Sequence, residues 1–176
     1  QRRADTSADD APAPTEESAV EDDHDPLEQL LDTADFGAAL DEFDGDEAAI
    51  MVIDVDAFPE LVSIWGDEIA DLVVREVAVR LLASRRQRDI LARLGRDRFA
   101  LLFAGVDRST VLQVAKRFVS TIGAPLPVEI GPSSITATIG VSHQSGLIDL
   151  DEMLESAGAA VESGKAGGGE RVVIAD

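Results

Sequence analysis

The sequence predicts an α/β (α+β) fold: a mixed sheet flanked by helices that pack largely on one face. Three observations predict it. The run "AAIMVIDV" at 48–55 is apolar at nearly every position, as a buried strand is. "RLGRDRFALLF" at 93–103 reads as strand, tight turn and strand. After residue 47 the patterns run strand, helix, hairpin, helix, strand, helix, strand, with no internal repeat.

Residues 1–24 are rich in Asp, Glu, Ala, Pro, Ser and Thr and carry no aromatic side chain. Such a segment cannot bury enough surface to offset chain entropy, so a disordered acidic linker to an upstream domain is expected there. A folded domain over 25–176 follows. Leu27, Leu30, Leu31, Ala34 and Leu40 suit an amphipathic helical opening, broken near Gly37. Ala48 to Val55 is the first strand. A short helical turn is expected around Phe58 to Ile64, then a long helix from Asp67 to Arg86 with Ile69, Val73, Val77 and Leu81 inward. Asp89 to Leu94 and Arg98 to Ala104 form a hairpin about Gly95. A second long helix covers Ser109 to Ile122, with Val111, Val114, Ala115, Phe118 and Ile122 inward and Arg117 on the opposite stripe. "APLPVEIGPSS" is a loop with room for a short strand. Ile135 to Ser142 is a strand, Asp149 to Ser163 a helix, "GKAGGGE" a flexible turn and Arg171 to Ala175 the last strand.

The chain has no Cys, which excludes a disulfide framework and a thiolate metal site. No apolar run is long enough to span a membrane, the start does not resemble a secretory signal, and a reducing cytoplasm is the expected compartment. A net charge of −20 argues against general nucleic-acid binding. The charge is uneven. Residues 1–47 hold 17 of the 35 acids, whereas 75–98 hold eight of the 15 basic residues, all Arg. That cluster is either a solvated helix face or a site for an anionic nucleotide, since Arg offers a planar fork to phosphate and guanine. Trp65 and the Phe residues are expected in the core or an interface, and neither His24 nor His143 has companions for a metal site.

Asp54 and Asp56 end the first strand, where carboxylates can hold Mg²⁺ with substrate phosphates or cap a turn. Asp97 sits in the hairpin turn, and pairing of the strands would bring it opposite Asp54.

Five stretches, "MVIDVDAF", "WGDEIAD", "ARLGRDRFALLF", "TATIGVS" and "GKAGGGERVV", resemble the GGDEF domain of diguanylate cyclases in order and spacing. "DPLEQLLDTADF" looks like an altered form of that family's opening D-x-L-T-G-L-x-N-R. The resemblance covers about residues 25–176 and implies a nucleotidyl-cyclase palm-like sheet. Active members join two GTP molecules into cyclic di-GMP with Mg²⁺.

The departures carry as much information. The signature Gly-Gly-Asp-Glu-Phe stands as Gly95, Arg96, Asp97, Arg98 and Phe99. Arg96 puts a side chain where phosphate approaches, at a position expected to need a left-handed backbone. Arg98 replaces the acid linked to catalysis, and its guanidinium suits pairing with Asp97 or Asp54 in place of metal charge. Two metal-ligand positions, Asp54 and Asp97, survive in vestigial form. The guanine-reading Asn is Val62, while the second reader, Asp71, remains. The His after Gly66 is Asp67. Lys165 matches a phosphate contact, but the Arg four residues later is Gly169, and the family's helical Asp and Tyr are Gly158 and Glu162. These losses imply no enzyme activity and no required cofactor.

The resemblance also implies an allosteric product site. Its R-x-x-D motif is Arg86, Gln87, Arg88 and Asp89, five residues short of Gly95, and Arg117 matches a further Arg of that site. Arg donates to guanine O6 and N7 and to phosphate, and Asp accepts from the guanine N–H edge. Arg85 and Arg88 add positive charge. The reading is a catalytically inactive regulatory domain that binds cyclic di-GMP through Arg86, Asp89 and Arg117. Its expected partners are cyclic di-GMP and another domain or protein of a signalling system, and a homodimer is compatible. The alternatives are a protein-interaction scaffold without nucleotide, and a GTP-binding regulatory domain that does not turn over.

Overall fold

A computed structural model describes residues 25–127 and 131–175. The disorder expected of residues 1–24 lies outside those residues, as do residues 128–130 of the loop expected to have room for a short strand. After a short 3-10 turn, Pro26–Gln29, come α1 (Thr33–Asp41), β1 (Glu47–Val55), α2 (Phe58–Ser84), β2 (Ile90–Arg93) and β3 (Arg98–Ala104). Then follow α3 (Arg108–Ile122), β4 (Ala137–Ser145), α4 (Leu150–Ala166) and β5 (Val172–Ile174).

The five strands lie in the order β2-β3-β1-β4-β5. All neighbours are antiparallel except β4 and β5, so the sheet is mixed. β1 is the central strand, and every residue from Ala48 to Val55 is buried. Ala49, Met51, Ile53 and Val55 face a core built with α2 and α3, including Val73, Val77, Leu81, Phe118 and Ile122. Ala48, Ile50 and Val52 face a second core with Phe36 and Leu40 of α1 and Met153, Ala157 and Val161 of α4. Helices therefore cover both faces, which corrects the expectation of one. The cause is legible in β1: a strand apolar at consecutive positions needs cover on each side.

The opening segment also differs from expectation. α1 runs straight through Gly37, and the break falls earlier, at Leu30–Asp32. There Leu31 bridges to the edge of the sheet, its N–H donating to Leu91 O at 3.1 Å and its carbonyl accepting from Arg93 N at 2.8 Å. Asp32 then caps α1, accepting from Asp35 N at 2.8 Å. Pro59 starts α2 and Gly66, at φ 81°, interrupts it, which fits the expected turn followed by a long helix. That helix ends at Ser84, so Arg86 and Asp89 lie in the turn beyond it. Trp65 is 44% exposed and not part of the core. Asp107 caps α3 through Ser109 N and Thr110 N, and the Ser109 and Thr110 hydroxyls that also donate to it are the main reason its carboxyl lies well below the usual carboxylate range. Asp149 and Glu152 open α4 in a D-x-x-E capping arrangement. No helix among the described residues is long and apolar enough to cross a membrane.

α4 touches the sheet directly. A methyl group on Gly140 of β4 would lie 1.9 Å from the Ala157 carbonyl oxygen, whereas one on Gly158, a residue along the helix, meets nothing within 4 Å. Gly140→Ala should therefore cost about 1–3 kcal/mol by pushing α4 off the sheet. Gly158→Ala should gain roughly 0.5–1 kcal/mol from helix propensity. Urea melts of the two variants, read at unchanged slope, check both signs.

Candidate functional site

The C-terminal end of β1 brings three segments together. The register pairs Asp54 with Arg98 of β3 on one side and Thr138 of β4 on the other. Asp54 is 3% exposed, so its charge needs partners. Arg98 supplies one: Nε donates to Asp54 Oδ2 at 2.7 Å, and Nη2 lies 2.5 Å from Glu162 Oε1 on α4. Lys165, in the last turn of α4, donates Nζ to Asp54 Oδ1 and to Val55 O. The carboxylate is thus held on both oxygens by cations from two different elements. The pairing of Arg98 with Asp54, rather than Asp97, settles one of two expected arrangements.

The hairpin turn is held by its own backbone. Leu94 N and Gly95 N both donate to Arg98 O, and the Arg93 guanidinium binds Gly95 O at 2.9 Å and Arg96 O at 2.8 Å. Position 96 does not need a left-handed backbone, contrary to expectation. Among the described non-glycine residues only Ala57 and Glu170 have positive φ. The Arg96 side chain leaves the turn across the ring of Phe58, 5.3 Å from its centroid. It pairs with Asp67 at 2.6 Å and with Asp71 at 3.0 Å. Val62 is partly buried against the core and offers no polar group.

Asp97 lies beside this cluster. Burial pushes its carboxyl above the ordinary carboxylate range, with the negative charge of Asp54 as the next cause and Lys165 and Arg98 opposing. Asp56 points elsewhere: it accepts from Thr136 Oγ1 at 2.8 Å, Thr138 Oγ1 at 2.7 Å and Glu170 N at 2.9 Å. It fastens the glycine turn, and a Cβ on Gly169 would lie 3.0 Å from its carboxylate. The roles of Asp56 and Glu162 were not legible as contacts in the sequence. The spacing of Glu162 and Lys165 on one helical face was the available signal.

A second group gathers at the end of α2. Asp89 is 3% exposed; Oδ2 accepts from Arg86 N at 2.8 Å, and Asp89 N donates to Arg86 O at 3.0 Å. The Arg86 side chain is exposed and, among the described residues, is in no ion pair. Arg117 reaches over from α3 to Ser84 O at 3.0 Å. Arg85 binds Asp89 O at 3.0 Å, and its Nε and Asp89 Oδ1 are buried with no partner among the described residues. The structure brings Arg86, Asp89 and Arg117 to one corner, with Asp89 turned toward the backbone of Arg86 rather than its guanidinium.

The comparisons agree with this architecture. The family model described as "Diguanylate cyclase, GGDEF domain" matches residues 23–171, and the chain belongs to that family. It is 32% identical over 133 residues to the response regulator PleD of Caulobacter vibrioides, spanning 73% of this chain and 29% of PleD. Among solved structures, the coiled coil and GGDEF domain of DgcB from Caulobacter crescentus, in complex with c-di-GMP, superposes with a TM-score of 0.77 at 25% identity. That match covers 86% of this chain and 84% of that one. The GGDEF domain of TpbB from Pseudomonas aeruginosa gives a TM-score of 0.75 at 26% identity, covering 87% and 94%.

The Asp97 geometry has a signed consequence. Its folded-state pKa lies above the unfolded value, so ionisation at neutral pH costs stability, and that cost is relieved as the pH falls through the raised value. Asp97→Asn should melt higher than the parent at pH 7, and the gain should vanish below about pH 4, where both forms are neutral. Thermal melts across that range check it. An equal gain at every pH would assign the effect to something other than charge.

Proposed function

We propose that this is a catalytically silent diguanylate cyclase-type domain that serves as a cyclic di-GMP receptor through Arg86, Asp89 and Arg117. The observation that carries this reading is the engagement of Asp54 by both Arg98 and Lys165. A divalent ion would have to displace two cations to reach that carboxylate. These residues do not fit Mg²⁺, whose sites combine carboxylates with substrate phosphates and water. Phosphoryl transfer depends on metal and positioning, so the cleft lacks its main source of transition-state stabilisation. Arg96 likewise occupies Asp71, the remaining acceptor for a guanine N–H edge. This weighs against a GTP-binding role.

The receptor half is supported by the Arg86 corner. The exposed Arg86 side chain leaves the same turn as Asp89, and the Arg117 guanidinium binds Ser84 O, two residues before Arg86. The similar DgcB domain was solved with c-di-GMP, which supports the same class of ligand. Binding would report messenger level to another domain or protein of a signalling system. One observation favours a second reading, a scaffold that binds no nucleotide: the Asp89 carboxylate already serves the turn and is almost fully buried.

Side-by-side calorimetry with cyclic di-GMP and with GTP and Mg²⁺ tests the proposal. Cyclic di-GMP should bind, Arg86→Ala should weaken it by about tenfold or more, and GTP should give no heat and no cyclic product. Silence toward both nucleotides selects the scaffold. Formation of cyclic di-GMP from GTP overturns the inactive cleft.

A further inference from the structure

Where the end of α2 meets α3, the chain is basic without interruption. Residues 77–88 and 108–127 hold seven basic side chains and no acid, in a chain of net charge −20. Arg80 is engaged internally, donating to Ile122 O at 2.7 Å and Ala124 O at 2.8 Å. Arg86, Arg88, Lys116 and Arg117 are exposed. Arg117 Nη2 reaches Ser84 O at 3.0 Å, which sets the two basic stretches side by side. Among the described residues no carboxylate pairs with any of these four cations. The carboxylate of the same turn, Asp89, is buried and directed to the Arg86 N–H. Like charges gathered in this way repel one another and draw in an anion.

The chain carries such an anion within reach. "EESAVEDD" at 16–23 has five acids in eight residues and no basic residue. It joins the described fold at Asp25, which is fastened to α2: Oδ2 accepts from Arg75 Nε at 3.2 Å and Oδ1 from Leu27 N at 3.0 Å. From Arg75 to Arg86 the distance along α2 is about 15 Å. Eight extended residues before Asp25 span about 26 Å, so Glu16 and Glu17 reach Arg86 and Arg88 with slack. A short tether also holds the segment at a local concentration of about a millimolar. A foreign acidic protein or a nucleic acid would first meet the repulsion of the whole chain, of which this segment is already a part.

We infer that the acidic segment 16–23 of this chain docks on the basic corner formed by Arg86, Arg88, Lys116 and Arg117. Its carboxylates accept from the guanidinium forks there. The docking itself does not depend on nucleotide binding. Its consequence rests on the receptor reading: the segment occupies the arginines that cyclic di-GMP needs, so the messenger must displace it.

Paramagnetic NMR on the whole chain tests this. The sequence has no Cys, so a nitroxide on Ser18→Cys marks the segment alone. Amide signals of residues 84–89 and 116–117 should broaden, and those of α4 should not. The broadening should fall severalfold when Glu16→Gln, Glu17→Gln and Glu21→Gln are combined, changes that leave the folded domain untouched. Signals near Arg75, beside the anchor at Asp25, should broaden in both forms. Equal broadening at 84–89 in parent and glutamine variant, or equal broadening of α4, overturns the docking. So does broadening that appears when spin-labelled chains are mixed with isotope-labelled, unlabelled-spin chains, because the segment would then come from a second copy. In a parallel titration the glutamine variant should bind cyclic di-GMP about two- to threefold more tightly than the parent. Equal affinity overturns the competition. Absence of binding in both forms overturns the receptor reading alone, and the docking is then decided by the broadening.

Discussion

A carboxylate buried at the end of the central strand is the constraint around which the cleft is arranged. β1 must be apolar on both faces because helices cover both, and it ends in Asp54 at 3% exposure. Taking such a charge out of water costs several kcal/mol unless it is paired with good geometry. The fold meets that demand twice, through the hairpin register that sets Arg98 opposite Asp54 and through the last turn of α4, which delivers Lys165. α4 can reach because Gly140 and Gly164 let it lie against the sheet. A Cβ on Gly164 would sit 2.6 Å from Thr138 Cγ2. The close contact of helix and sheet and the neutralisation of Asp54 are one design.

The departures from the family pattern are not scattered. Arg96 stands in place of a glycine and Asp67 in place of a histidine, and these two side chains pair at 2.6 Å. Arg98 stands in place of an acid and Glu162 in place of a tyrosine, and these pair at 2.5 Å. Each new cation therefore meets a new anion as well as a retained one, Asp71 or Asp54. Charges left unpaired on the rim of a cleft would be free to recruit a ligand. Here they close on one another, and Glu162 links the hairpin to α4 through Arg98. The more exposed pair, Arg96 with Asp67, contributes little to stability on its own. Its consequence is steric and chemical: a planar donor lies over Phe58 and against Asp71.

Much of this was legible in the sequence, for identifiable reasons. The strand 48–55, the hairpin about Gly95 and both long helices follow from periodicity, and Gly66 marked the interruption in α2. The placement of helices on both faces was present in the unbroken apolar run of β1 but needed to be read as a two-sided demand. Gly37 misled because propensity treats a glycine as a breaker, whereas the packing of Phe36 and Leu40 into the core keeps α1 whole. The true break at Leu31 depends on a bridge to Ala92, a long-range contact with no local mark. For the cleft, the residue types and their register indicated that Arg98 would find a carboxylate. That Asp56 would instead clasp two threonines and the Glu170 N–H could not be read, because β4 and the glycine turn approach it only in three dimensions.

In the proposed receptor role, Asp89 would serve fold and recognition at once. Its Oδ2 closes the turn after α2 on the Arg86 N–H, and this contact fixes the backbone from which the Arg86 guanidinium projects outward. A carboxylate engaged in this way still has a second oxygen, and Oδ1, like Arg85 Nε, is buried without a partner among the described residues. In that role a guanine N–H edge would compete with the Arg86 N–H for this carboxylate. The distinction between the two readings thus comes down to whether Asp89 is a finished cap or a cap that can be traded for a guanine edge.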